Sequence, residues 1–69
     1  MEFELRQDSE YIELIQLLKA MNIAESGAQA KAMVDDGLVE VNGEGENRKR
    51  AKLRRGDIVN VFDYSITIC

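Results

Sequence analysis

Hydrophobic and polar positions along the 69-residue chain change their period twice. Residues 2–6 alternate, with Phe3 and Leu5 on one side and Glu2, Glu4 and Arg6 on the other, the pattern of a short edge strand. The spacing then turns helical: Leu14, Ile15, Leu18 and Met21 recur at three- and four-residue steps, and Ile12 and Leu17 widen the stripe. Asp8 or Ser9 supplies an N-cap in front of Glu10 and Glu13, so a first helix is predicted from there to about Met21, closed by Asn22. A second helix over about residues 27–36 opens at Ser26, whose hydroxyl suits the amide of Gln29 three positions on, while the Gln29 side chain reaches back. Its buried stripe is Ala30, Met33 and Val34, and Gly37 provides the positive φ that ends it.

From Leu38 the period is two, with Leu38, Glu40 and Asn42 facing one way and Val39 and Val41 the other. Asn42-Gly43 predicts a two-residue hairpin turn, because both central positions of that turn need positive φ. Gly56-Asp57 marks another turn before the β-branched run Ile58–Phe62, and a polar break at Asp63-Tyr64-Ser65 leaves Ile66–Ile68 as the last strand. Helices first and hairpins after make an α+β domain, two helices packed on a small, mainly antiparallel sheet. Sixty-nine residues hold one such domain, spanning 1–69.

Charge changes the picture more than composition does. The net charge is −4, which by itself disfavours RNA and anionic membranes. Residues 1–47, however, hold 3 basic and 11 acidic residues, whereas residues 48–55 hold 6 basic and none acidic. If that second segment is extended, Arg48, Arg50, Lys52 and Arg54 share one side as a row suited to a phosphate backbone, and Ala51 and Leu53 dock the other side on the core. On a helical wheel Gly27, Ala28, Lys31, Ala32 and Asp35 lie away from the buried stripe of the second helix, leaving a face bare enough for close approach of a polyanion. Its first amides, at Gly27 and Ala28, are an anion site with Lys31 one turn on, unless Lys31 pairs with Asp35. Gln29, Asn42 and Asn47 are neutral hydrogen-bonding candidates, although Gln29 also serves as a cap and Asn42 as a turn residue. Tyr11 and Tyr64 read as core-edge residues, with base-stacking platforms the lesser alternative, and no aromatic residue interrupts the basic run as a single-strand stacking mode would need.

The inventory also removes function classes. There is no histidine and one cysteine, Cys69, so His- or Cys-based nucleophile systems and His/Cys zinc sets are excluded, no internal disulfide forms, and no phosphate-cradling G-x-x-x-x-G-K-[ST] loop is present. No enzyme activity, cofactor, metal or small-molecule substrate is expected. The first residues have neither the basic nor the apolar region of a signal peptide, and no apolar stretch is long enough to span a bilayer, so a cytoplasmic protein without membrane contact is expected.

Taken jointly, Ser26-Gly27-Ala28-Gln29-Ala30-Lys31, Asp36-Gly37-x-Val39-x-Val41-x-Gly43, Arg48-Lys49-Arg50-x-Lys52 and Gly56-Asp57-x-Val59 resemble the alpha-L RNA-binding domain named after small-subunit ribosomal protein S-four, most closely its stand-alone bacterial YbcJ-like members. The resemblance spans about residues 11–61 and implies that two helices and the following hairpin form an L-shaped surface for structured RNA, leaving open whether that RNA is ribosomal, transfer or messenger. Many members carry arginine after the serine of the second helix; here Gly27 stands there, a feature shared with the YbcJ-like subgroup. Larger members append catalytic domains, for which this chain has no room. The expectation is therefore a monomeric RNA-binding module that uses Arg48, Lys49, Arg50, Lys52, Arg54 and Arg55 with Lys31 and the start of the second helix. The rival expectation is a non-catalytic, ribosome-associated adaptor whose basic strip meets an acidic protein.

Overall fold

A two-residue ladder interrupts the first predicted helix and decides where the rest of the chain goes. The computed structural model describes all 69 residues. After β1 (Glu2–Phe3), Ile12 and Glu13 form a strand, β2, so the first helix, α1, spans only Leu14–Ala20. Asp8 and Ser9 therefore do not cap it. Glu13 occupies the N-cap position without a side-chain cap, and the first helical amides find backbone partners instead: Leu14 N–H donates to the Ala51 carbonyl at 2.9 Å and Ile15 N–H to that of Lys49 at 3.3 Å. A long-range pairing has thus replaced the local cap, because the amides opening a helix need some acceptor and the basic segment supplies it. Residues 6–9 instead make a turn, with Ser9 N–H donating to the Arg6 carbonyl at 3.0 Å.

The second helix, α2, runs Gly27–Asp35. Ser26 Oγ accepts from Gln29 N–H at 3.1 Å, and Gln29 Oε1 accepts from the Glu25 amide, one residue outside the pattern of a capping box. Asn22 takes φ 60° after α1 and Gly37 φ 73° after α2, left-handed closures that asparagine tolerates and glycine, without a Cβ, adopts freely.

The strands that follow are β3 (Val39–Val41), β4 (Glu44–Gly45), β5 (Lys52–Leu53), β6 (Ile58–Val61) and β7 (Tyr64–Ile68). Asn42 and Gly43, at φ 53° and 85°, make the predicted hairpin between β3 and β4. Five strands form one sheet in the order β1-β7-β6-β3-β4, antiparallel except for the parallel β1–β7 pair, while β2 and β5 form a separate antiparallel ribbon. The break before the last strand falls earlier than its polar residues suggest. Val61 pairs with Tyr64 across a two-residue turn in which exposed Phe62 adopts φ 53°, so Tyr64 and Ser65 belong to β7.

Sixteen residues are buried and all are hydrophobic. Leu14, Leu17, Leu18, Ala30 and Val34 from the helices meet Val39, Val59, Val61, Ile66 and Ile68 from the sheet, and Leu53 of the ribbon closes the same core. Each fully buried Leu, Ile or Val contributes about 1.5–3 kcal/mol relative to exposure, so in a core this small no member is dispensable.

Candidate nucleic-acid interface

Residues 48–55 are held on the core by their apolar members and by their own carbonyls. Ala51 and Leu53 are buried, Leu53 lies opposite Ile12 and Lys52 opposite Glu13 in the ribbon, and the carbonyls of Lys49 and Ala51 receive the α1 amides. The far end is tied by Asp57. Its carboxylate accepts from the Arg54 backbone N–H at 2.8 Å and from Asn42 Nδ2 at 3.1 Å, while Asn42 Oδ1 accepts from Ile58 N–H at 2.9 Å. Asn42 is thus engaged in joining its hairpin to the basic segment, and Asn47 stands exposed beside Arg48.

The alternation expected for this segment keeps its parity although only Lys52 and Leu53 are strand; Arg48–Ala51 is a turn closed by Ala51 N–H onto the Arg48 carbonyl at 3.2 Å. Arg48, Arg50, Lys52 and Arg54 line one open concavity of about 500 Å³ floored by Ala51. The odd-numbered cations turn elsewhere. Lys49 Nζ pairs with Asp35 at 3.2 Å, and Arg55 donates from its two terminal nitrogens to the carbonyls of Ser9 and Arg6, at 3.1 and 3.0 Å. Arg55 therefore clamps the turn at residues 6–9 and lies off the row.

Within the row Arg48 is the one cation with a carboxylate partner. Its Nε and Nη2 donate to the two oxygens of Glu46 at 3.0 and 3.1 Å, and its backbone amide donates as well. Those side-chain hydrogen bonds hold the Glu46 carboxyl below its ordinary value, against the opposing effect of its own partial burial, and raise the Arg48 guanidinium. Arg50, Lys52 and Arg54 have no carboxylate within ion-pair distance.

The Lys49–Asp35 pair brings the segment against the last turn of α2. It also corrects the alternative partner for Lys31, since Asp35 takes Lys49 and Lys31 forms no ion pair. Gly27, Lys31 and Asp35 are spaced by four and so share a face of α2, about 12 Å from first to last at 1.5 Å per residue. Along that face Ala28, Lys31 and Ala32 are exposed and nothing lies within 4 Å of where a Gly27 side chain would begin. A strip of small residues therefore leads along α2 from its open amino end to the Asp35–Lys49 ion pair that joins the helix to the basic segment.

This surface gains one residue that its sequence context assigns first to the core edge. Tyr11 immediately precedes β2 and is 41% exposed, with Lys52 Nζ 5.0 Å and the Arg54 guanidinium carbon 5.9 Å from its ring centroid. The aromatic residue absent from the basic run is supplied across the ribbon from it. The sequence signal for it is the alternation Tyr11-Ile12-Glu13, which fits the start of a helix as well as a strand.

Two helices followed by a hairpin, with the second helix and the basic segment on one connected surface, define an alpha-L domain, and the chain belongs to the S4 domain family, whose model matches residues 3–69. Among its relatives is the Escherichia coli protein named "Putative RNA-binding protein YbcJ", 41% identical over 58 residues that cover 84% of this chain and 83% of that one. "Probable ribosome maturation protein RlbA" of Bacillus subtilis is 41% identical over 57 residues, 83% of this chain and 80% of that one. The solution structure of Escherichia coli YbcJ, described as revealing an alpha-L motif involved in RNA binding, superposes with a TM-score of 0.73 at 39% identity, covering 97% of this chain and 84% of the other.

Proposed function

We propose that this protein is a small, non-catalytic cytoplasmic module that binds structured RNA as a monomer. The observation that carries the reading is the concavity of Arg48, Arg50, Lys52 and Arg54, on a segment that buried Ala51 and Leu53 dock on the core and the Lys49–Asp35 pair joins to α2. A phosphate backbone crossing it meets cations whose backbone is fixed before binding, and exposed helix amides at Gly27 and Ala28 with Lys31 provide a further anion contact. Lys49 and Arg55 support the surface by their internal contacts, Gln29 caps α2, and Asn47 is the free neutral hydrogen-bonding group at the rim. The acidic remainder of the molecule repels RNA from other approaches and so orients the encounter. The relatives named for RNA binding and ribosome maturation support this reading and make ribosomal RNA the first substrate to examine.

The test is equilibrium binding of ribosomal RNA fragments to the wild-type protein and to a variant carrying Arg50→Ala, Lys52→Ala and Arg54→Ala. With roughly 4 to 6 phosphates neutralised, log K against log salt has a slope of about −3 to −5. The triple variant loses about 2 to 3 of that slope and roughly 100-fold in affinity near physiological salt while remaining folded. Equal affinities would remove the concavity from the site, and a cellular partner that stays bound after ribonuclease treatment would favour a protein ligand.

A further inference from the structure

We infer that Tyr11 is a nucleotide-stacking residue, so that the RNA taken by this surface carries an unpaired base next to the backbone held by the cationic concavity. This inference rests on the proposed RNA-binding function and adds the class of RNA that the site selects. Three observations meet at one ring.

Tyr11 is exposed and not part of the core; in the ribbon, Ile12 and Leu53 face inward, which puts Tyr11 on the same outward side as Lys52 and Arg54. Both of those cations approach the ring, Lys52 to 5.0 Å and Arg54 to 5.9 Å, and both also line the concavity. Ring and phosphate-binding groups are therefore separated by a span comparable to that between a nucleotide's base and its own phosphate. Tyr11 also borders a second, wider depression of about 720 Å³ with Asp8, Ser9, Glu10, Glu13 and Gln16. The carboxylates there turn a phosphate away, so a neutral base, and not the backbone, belongs on the ring side.

Magnitudes decide what happens to the ring when RNA arrives. An exposed cation–π contact is worth roughly two- to fivefold in an equilibrium. A base stacked on an aromatic side chain is worth roughly 5- to 150-fold, and a phosphate holds Lys52 and Arg54 more strongly than the ring does. In the free protein the cations rest on Tyr11; on binding they move to phosphate and the base takes the ring. Duplex RNA, whose bases remain stacked on each other, gains nothing from Tyr11.

The protein has no tryptophan and two tyrosines, so Tyr64→Phe leaves Tyr11 as the sole long-wavelength fluorophore. In that background Tyr11→Leu and Tyr11→Phe are compared for binding to an RNA hairpin with an unpaired loop and to a fully paired duplex of equal length. The expected results are quenching of Tyr11 emission by the hairpin, a roughly tenfold loss of hairpin affinity in Tyr11→Leu that Tyr11→Phe does not show, an unchanged salt slope, and duplex affinity equal among all variants. Hairpin affinity unaffected by Tyr11→Leu overturns the inference. So does an equal loss for hairpin and duplex with a shallower salt slope, which would make Tyr11 only a support for Lys52 and Arg54. If either result comes with strong dependence on Arg50, Lys52 and Arg54, RNA binding stands and only the stacking role falls; if the wild type binds neither RNA, both fall.

Discussion

Arg54 and Arg55 are adjacent and chemically identical, yet their surroundings assign them opposite work, and replacing each by alanine separates the two. Arg55 donates from two terminal nitrogens to the Ser9 and Arg6 carbonyls across 46 and 49 residues of chain. Hydrogen bonds from a charged donor are worth about 1.5–3 kcal/mol when buried, but these face solvent and share one side chain, so Arg55→Ala costs about 1–2 kcal/mol in total. For a domain of this size each kcal/mol moves the melting temperature by about 4–8 °C, which predicts a fall of roughly 5–15 °C. The Arg54 side chain has only its approach to Tyr11, so Arg54→Ala changes stability by about 0.5 kcal/mol or less. Its effect is on RNA instead: one phosphate contact fewer, with the log K against log salt slope shallower by about 0.7–0.9 and the affinity near physiological salt lower by roughly fivefold. Circular-dichroism melts and filter binding over a salt series read both quantities. A pair of variants with equal melting temperatures, or with Arg55→Ala giving the larger change in salt slope, would refute the assignment.

Three further outcomes follow from individual contacts. Leu53→Ala removes a side chain that is 1% exposed and holds the basic segment down; a loss of about 2–5 kcal/mol is expected, a large share of the roughly 3–10 kcal/mol available to a chain this short, measurable by urea denaturation. Glu46→Gln breaks the fork with Arg48. Because Glu46 titrates lower in the folded state, the pair stabilises above the ordinary glutamate value of 4.5 and its contribution is lost as pH falls through the lowered value, so the variant melts below wild type at neutral pH and the gap closes in acid. The same change frees Arg48 and removes a negative charge, raising RNA affinity about two- to fivefold at neutral pH. Phe62→Gly relieves a left-handed backbone at an exposed bulky residue and raises stability by about 1 kcal/mol; a lower melting temperature would mean that the Phe62 ring contributes more than its backbone costs.

Much of this architecture was legible because local chemistry and the final packing agree. Ser26 and Gln29 open α2, Asn42-Gly43 turns the hairpin, and Val39, Val59 and Val61 face the core as their alternation requires. The start of α1 was not legible. Ile12 satisfies a helical stripe and a strand equally well, and the choice is made by Leu53, 41 positions away, which pairs with it. The parity of the basic row was visible from Ala51 and Leu53, but the departure of Lys49 to Asp35 and of Arg55 to the Arg6 and Ser9 carbonyls depends on where distant segments come to rest. Tyr11 ranks only as the lesser stacking candidate in the sequence for the same reason: its neighbours Lys52 and Arg54 lie across a ribbon that a helical reading of residues 10–13 does not allow.

Mapping backbone amide shifts by NMR during titration of the isotope-labelled protein with a structured RNA tests the central claim most directly. The predicted footprint is continuous, covering Gly27, Ala28 and Lys31 of α2 and Arg50, Lys52 and Arg54 of the basic segment, with Glu40, Asn60 and Thr67 on the far side of the sheet unmoved. Shifts concentrated on that sheet face, with residues 48–54 undisturbed, would contradict it.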